Sequence, residues 1–234
     1  MGGRGAGSSI PTGTAGGGAD SNLPWSQTAG TVAPPTLKDA LGDKGRPMSM
    51  YDAVMGGNPF YDGTYREFSE NCQRAVIAYE ARRRGYNVVA QPTYEGDVLP
   101  SPAYVNPNTG IRNSHWMGAF KGAKPEKVGA NTSKKALENT EKKMAEYGNG
   151  SRAIMQVQWK DGGGHVLNVE RKGGKTYYVD AHVGQKYTPK QLFSAVKPES
   201  IQLTRTDNLK LSDRAKKSVA PKSEFTGNTF GNKK

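Results

Sequence analysis

The sequence predicts an α+β domain in which a helix carrying one cysteine packs on an antiparallel sheet. Three observations carry this reading. Cys72, Ala75, Val76 and Tyr79 recur at the i, i+3, i+4, i+7 spacing of one buried helical face. From 153 to 159, Ala153, Met155, Val157 and Trp159 alternate with Ile154, Gln156 and Gln158, the period of a strand. Lys172-Gly173-Gly174 then separates two further strand-like runs as a hairpin turn would. Helices first and consecutive strands afterwards are the order of an α+β chain.

Taken in order, residues 1–47 are rich in Gly, Ala, Ser, Thr and Pro and read as a disordered leader. So few large apolar groups cannot offset the entropy of ordering the chain. Within it, Leu23-Pro24-Trp25 is either a docking motif or an incidental aromatic. The domain is expected over 48–207, followed by a basic flexible tail over 208–234. Its first helix starts at a cap, Ser69 or Asn71, and ends with Arg82, Arg83 and Arg84 before Gly85. Tyr86–Ala90 reads as a short strand, and 91–113, with Pro and Asn clusters, as a long surface loop. A second helix runs from Ser133 to Tyr147, capped at Asn131, Thr132 or Ser133 and closed by Gly148. Strands are expected over 153–159, 165–171 and 175–181, then a short helix over 188–196 and a last strand over 200–205. The chain has no internal repeat.

Composition narrows the function. One cysteine in 234 residues rules out an internal disulfide and any multi-thiolate zinc site. The opening residues lack an apolar h-region, so no signal peptide is expected, and no apolar run approaches a membrane span. The net charge of +12 is spread along the chain, with 8 Lys/Arg against 3 Asp/Glu in residues 205–234. These charges fall in Ser-, Lys- and Asn-rich sequence without interleaved aromatics, so a solvated tail is expected rather than specific nucleic-acid binding.

Chemistry concentrates at three places. Cys72 opens a helix, where unpaired N–H groups favour a thiolate. His165 opens a strand in Gly164-His165-Val166-Leu167-Asn168-Val169, and Asp180 closes the next in Tyr177-Tyr178-Val179-Asp180. A nucleophilic thiol needs an adjacent imidazole, and the imidazole a carboxylate to orient it. The hairpin brings the last two together in either of two registers. A two-residue loop pairs His165 with His182 and Leu167 with Asp180, whereas a four-residue loop pairs His165 with Asp180 directly. Both leave His165 and Asp180 on one face. Each residue alone has a plainer explanation: a packed thiol, a loop histidine, a turn carboxylate. Their order and shared face favour a triad. His115 has no evident partner, and His182 is a fallback base. Three scattered histidines without HExxH or CxxC spacing point to no metal and no cofactor.

Over roughly residues 65–207 the chain resembles the papain-fold toxin domain of bacterial polymorphic toxins, effectors and prophage proteins. The resemblance rests on Asn71-Cys72 opening a helix that reaches Glu80-Ala81-Arg82-Arg83-Arg84-Gly85-Tyr86. Tyr147-Gly148-Asn149-Gly150-Ser151-Arg152, Val157-Gln158-Trp159, the His165 and Asp180 strands and Arg205-Thr206-Asp207-Asn208 complete it. It implies a papain-like α+β core with Cys72 as nucleophile, His165 as base and Asp180 as its orienting partner. Members include enzymes that deamidate glutamine side chains of host proteins; others are peptidases or cleave isopeptide links. The implied partners are a protein substrate in a host or target cell and an immunity or virion partner. Two departures concern the oxyanion. Papain-like enzymes commonly carry a Gln shortly before the Cys, and none lies between Met48 and Cys72. The family often has Gln two residues after the Asp, where this chain has His182. Asn71 and His182 are therefore the candidate oxyanion or orienting groups, beside the Cys72 N–H. The competing class is an inert papain-like binding module or virion protein.

Overall fold

Thr36 starts the first helix through a capping box. Its hydroxyl accepts from the Asp39 N–H, and the Asp39 carboxylate accepts from the Thr36 N–H, both at 3.1 Å. The structure is a computed structural model and describes residue 10 and residues 34–61, 65–93 and 115–224. Helix α1 covers Leu37–Leu41, α2 covers Met50–Met55 behind the Ser49 cap, and the single turn α3 covers Arg66–Ser69. The long helix α4 (Cys72–Arg83) and strand β1 (Val88–Ala90) follow. After a 3-10 turn at His115–Ala119 come β2 (Glu126–Lys127) and α5 (Ser133–Tyr147). Next are β3 (Arg152–Gln158), β4 (Gly164–Lys172), β5 (Lys175–Asp180), β6 (Gln185–Tyr187) and α6 (Pro189–Ala195). Last come β7 (Gln202–Arg205), a 3-10 turn at Asp213–Lys217 and β8 (Val219–Pro221).

Six strands form one antiparallel sheet in the order β2-β7-β3-β4-β5-β6. Strand alternation divides its side chains between two cores. Ile154, Val166 and Val179 join the cluster built on Ala75–Tyr79 of α4. Ala153, Met155, Val157, Leu167, Val169 and Tyr178 join Ala136 and Met144 of α5 and Leu192 and Phe193 of α6. The sheet is thus a middle layer between α4 and the α5–α6 pair, the α+β architecture expected from the sequence.

Helix α4 is buried well beyond one stripe. Gln73, Arg74, Glu80 and Arg82 are buried along with its apolar residues, because the sheet, α2, β1 and the 115–119 turn pack around it. Its closing arginines do not simply solvate the helix end. Buried Glu80 pairs with Arg84 at 2.9 Å and Arg152 at 2.8 Å, and buried Glu170 pairs with Arg83 at 2.6 Å. The Tyr79 hydroxyl also donates to Glu170, at 2.7 Å. These pairs fix α4 against β3 and β4.

Both expected domain boundaries move outward. Ala40 and Leu41 are buried, and α1 packs on β8 and the 213–217 turn. Strand β8 pairs with β1, Val219 against Ala90. Residues 34–47 and 208–224 therefore belong to the folded body, not to a leader or a tail. Leu37, Ala40 and Leu41 have helical spacing, but averaging over a Gly-rich segment hides so short a pattern, and three residues are too few to reveal β8. Leu23-Pro24-Trp25, most of the 91–113 segment and residues 225–234 lie outside the described residues; Gln91, Pro92 and Thr93 are buried. Among the described residues no helix is long and apolar enough to cross a membrane.

The revised boundary is testable by calorimetry. Leu41→Ala, at a site 7% exposed, is expected to cost about 2 kcal/mol or more and to lower the melting temperature by about 4–8 °C. An unchanged melting temperature would place α1 outside the cooperative unit.

Candidate active site

Gly173 and Gly174 join β4 to β5 with φ of +58° and +74°. Two consecutive left-handed residues make the tight hairpin turn that matches strand twist. The ladder pairs Lys172 with Lys175 and Asn168 with Val179, which is the two-residue register of the two the sequence left open. His165 and Asp180 consequently meet as diagonal neighbours, with His165 Nε2 2.7 Å from Asp180 Oδ2.

Helix α4 runs beside β4 in the same direction. Asn168 Nδ2 donates to the Val76 carbonyl at 3.2 Å, and further along Arg83 meets Glu170. That alignment brings the N-terminus of α4 to the end of β4 where His165 lies. The half-buried Cys72 thiol stands within hydrogen-bonding reach of the His165 imidazole. The Trp159 indole stacks on that ring at 5.3 Å and 28°.

Asp180 is held by three donors. Its Oδ2 accepts from His165 and from the Tyr187 hydroxyl at 3.1 Å, and its Oδ1 accepts from the His182 N–H at 3.0 Å. Gln185 Nε2 in turn donates to the Tyr187 oxygen at 2.7 Å. Tyr187, Gln185 and Trp159 carry no sequence signal of this role, since they read as ordinary strand or turn residues.

Asn71 is not free to act on an oxyanion. Its Nδ2 donates to Asn58 Oδ1 at 3.2 Å and to the Gln91 carbonyl at 2.9 Å, and its Oδ1 accepts from the Thr93 hydroxyl at 3.2 Å. Both amide hydrogens are spent, so Asn71 anchors the start of α4 and leaves no donor to spare. It occupies the cap position without a side-chain cap bond. His182 is likewise committed. Its Nε2 lies 2.9 Å from the Phe68 carbonyl and 3.4 Å from the Asn71 N–H. One nitrogen cannot serve both, and the shorter contact puts the hydrogen on Nε2, pointing at Phe68. Asn58 closes this layer, its Nδ2 donating to the carbonyls of Phe68 and His182 at 3.0 and 2.9 Å.

The electrostatics separate the two imidazoles. Burial alone would lower His165, but the Asp180 charge and hydrogen bond, with Cys72, raise it to about 10. Burial would raise Asp180, yet the facing His165 charge brings it below the ordinary carboxylate range. His182 is pushed down to about 4, chiefly by burial and against the pull of Asp180. At neutral pH the site therefore holds a charged His165–Asp180 pair beside a neutral His182.

The shifts set the pH dependence of stability. His165 binds its proton more tightly when folded, so its contribution is complete below about 6.5, its unfolded value, and is lost as pH rises towards about 10. His182 is neutral when folded and charged when unfolded, so stability falls as pH drops from about 6.5 towards about 4. The melting temperature is expected to peak near pH 6.5 and to decline on both sides. A monotonic rise through pH 8 would contradict the His165 assignment.

His165, Asp180 and His182 also bring metal-ligand atoms within 4.8 Å of one another. Within that group His165 Nε2 is bonded to Asp180 Oδ2, and His182 reaches Asp180 Oδ1 through its backbone N–H.

A family model described as "Papain fold toxin 1, glutamine deamidase" matches residues 70–185, a span that contains Cys72, His165, Asp180 and His182. No curated protein and no solved structure matches the chain. The helix-borne thiol, the imidazole and carboxylate on the sheet behind it, and this match agree, and the domain over residues 70–185 belongs to the papain-fold glutamine deamidase toxin family.

Proposed function

We propose that this domain is a cysteine-dependent amidohydrolase that deamidates glutamine side chains of a protein substrate. The observation that carries the reading is the buried His165–Asp180 pair, 2.7 Å apart, facing the Cys72 thiol at the start of α4. His165 spends Nε2 on Asp180, which leaves Nδ1 for Cys72. Nδ1 takes the thiol proton as the thiolate attacks the carboxamide carbon. The C–N bond breaks as Nδ1–H protonates the departing ammonia, leaving a thioester on Cys72. His165 then takes a proton from water, whose oxygen attacks the thioester; glutamate leaves and the thiol is restored.

The Cys72 backbone N–H is an oxyanion donor that the chain retains, since the Asn71 side-chain amide is engaged. Neutral His182 acts as a positioning residue, its N–H on Asp180 and its ring on the Phe68 carbonyl. Peptide and isopeptide cleavage would use the same steps; the family match favours the glutamine carboxamide.

Two measurements test the reading. Incubation with glutamine-bearing protein substrates should produce ammonia and mass gains of about 1 Da at glutamine, dependent on Cys72. Iodoacetamide should alkylate Cys72 near neutral pH faster than an ordinary thiol. A Cys72 inert to alkylation in the folded protein would favour the binding-module class instead.

A further inference from the structure

A concavity lies at the opposite end of α4 from Cys72. It is an open cleft of about 420 Å3 lined by Leu37, Leu41, Lys44, Arg84, Tyr86, Asp207, Lys210 and Leu211. A helix of 12 residues separates its floor at Arg84 from the nucleophile by roughly 18 Å, so one bound side chain cannot reach both. Only Arg84 and Tyr86 come from the family-matched segment 70–185. The other walls belong to α1, to the turn after it and to the segment after β7, so the cleft is built by additions around the family core.

Its chemistry is two-sided. Leu37, Leu41, Leu211 and the Tyr86 ring give an apolar lining, and Lys44 and Lys210 stand exposed at it without an ion-pair partner among the described residues. Arg84 is fixed in place, donating to the carbonyls of Leu209 and Thr206 at 2.7 Å and to Glu80. Glu80 is shared with Arg152, so one carboxylate faces two guanidiniums. The one acid in the lining, Asp207, is already taken by Arg205 at 3.1 Å and by the Arg152 N–H at 2.9 Å. An apolar slot bearing two exposed lysines without ion-pair partners among the described residues complements a large apolar side chain flanked by carboxylates.

We propose that this cleft is a docking site for a protein segment in which a large apolar residue is flanked by Asp or Glu. A duplex nucleic acid would leave the leucine walls unused, and the lysines are too few to track a phosphate backbone. Cys72 plays no part in the site, so it stands or falls separately from the catalytic reading.

The test uses the full chain and an array of fluorescein-labelled heptapeptides with Leu, Ile, Phe or Trp between acidic residues. Matched sets replace the apolar residue by Gly or the acids by Lys, and anisotropy reads binding. The acidic-apolar set is expected to bind saturably and at least about tenfold more tightly than either control set, a difference of about 1.4 kcal/mol. Lys44→Glu with Lys210→Glu should weaken it at least as much, while melting temperature and Cys72 alkylation stay at wild-type values. Leu211→Asp, checked for folding by its melting temperature, should weaken it in the same way. Equal binding of the Gly set would reduce the effect to general charge attraction and overturn the proposal. So would the absence of saturable binding in the whole array, unchanged affinity in the double Lys variant, or tighter binding of a DNA duplex through the same lysines.

Discussion

Cys72→Ala is expected to reduce glutamine deamidation by about four orders of magnitude or more, the scale of removing a nucleophile whose partners act as a unit. The loss should appear in kcat, because no covalent intermediate can form without the thiol. The fold should survive, since Cys72 is only half-buried at the rim of the α4 cluster and alanine keeps its helix position. His165 supplies a second readout. Part of its upward shift comes from Cys72, so in the alanine variant its titration, followed by NMR, should move down from about 10 while remaining raised by Asp180. A variant that retained deamidation would remove Cys72 from the chemistry. An unmoved His165 titration would show that thiol and imidazole are not coupled.

The parts of the site that sequence could disclose are those with periodic or punctuated surroundings. Cys72 stood out because the helix behind it has regular spacing and a glycine stop at Gly85, and α5 likewise lies between its Thr132 cap and Gly148. His165 and Asp180 could be joined because a Gly-Gly turn limits the hairpin to few registers, and period-two alternation makes either even-length loop give the same face. The choice between loops needed backbone angles, which residue names do not contain. Asn71 shows a related limit. Its position suggested a cap or an oxyanion donor, yet its partners Asn58, Gln91 and Thr93 come from segments whose convergence is set by tertiary packing. Tyr187 and Trp159 were illegible in the same way, each contacting the site from a strand end with no local signature. The closing arginines of α4 show the limit of helix-end reasoning. Favourable placement near the dipole is a small effect, and two buried carboxylates decided where Arg83 and Arg84 went.

Asp180→Asn is expected to lower kcat by about three to four orders of magnitude and also to lower the melting temperature, because buried His165 loses the charge that holds its proton. The carboxylate does two things that an amide cannot. It accepts from His165 Nε2, which holds the ring with Nδ1 towards Cys72, and its charge stabilises the imidazolium that carries the thiol proton. Asparagine can turn its NH2 towards His165 and reverse that bond, so the wrong nitrogen of the ring would hold the hydrogen. Its lost charge should also bring the His165 titration down, trimming the alkaline limb of the pH–rate profile. His182 makes the comparison sharp because it is equally buried and only two residues away. Its N–H reaches Asp180 from the backbone, which any residue supplies, and its ring serves the Phe68 carbonyl. His182→Ala should therefore cost stability, about 1–3 kcal/mol for the lost bond to the Phe68 carbonyl, which keeps Asn58 as its other donor, and for the space left, and reduce turnover far less than Asp180→Asn. His182→Gln can still donate to Phe68 and should recover much of that stability. The reverse ranking, with His182 essential and Asp180 dispensable, would make the neutral imidazole the working base and Asp180 a structural acceptor.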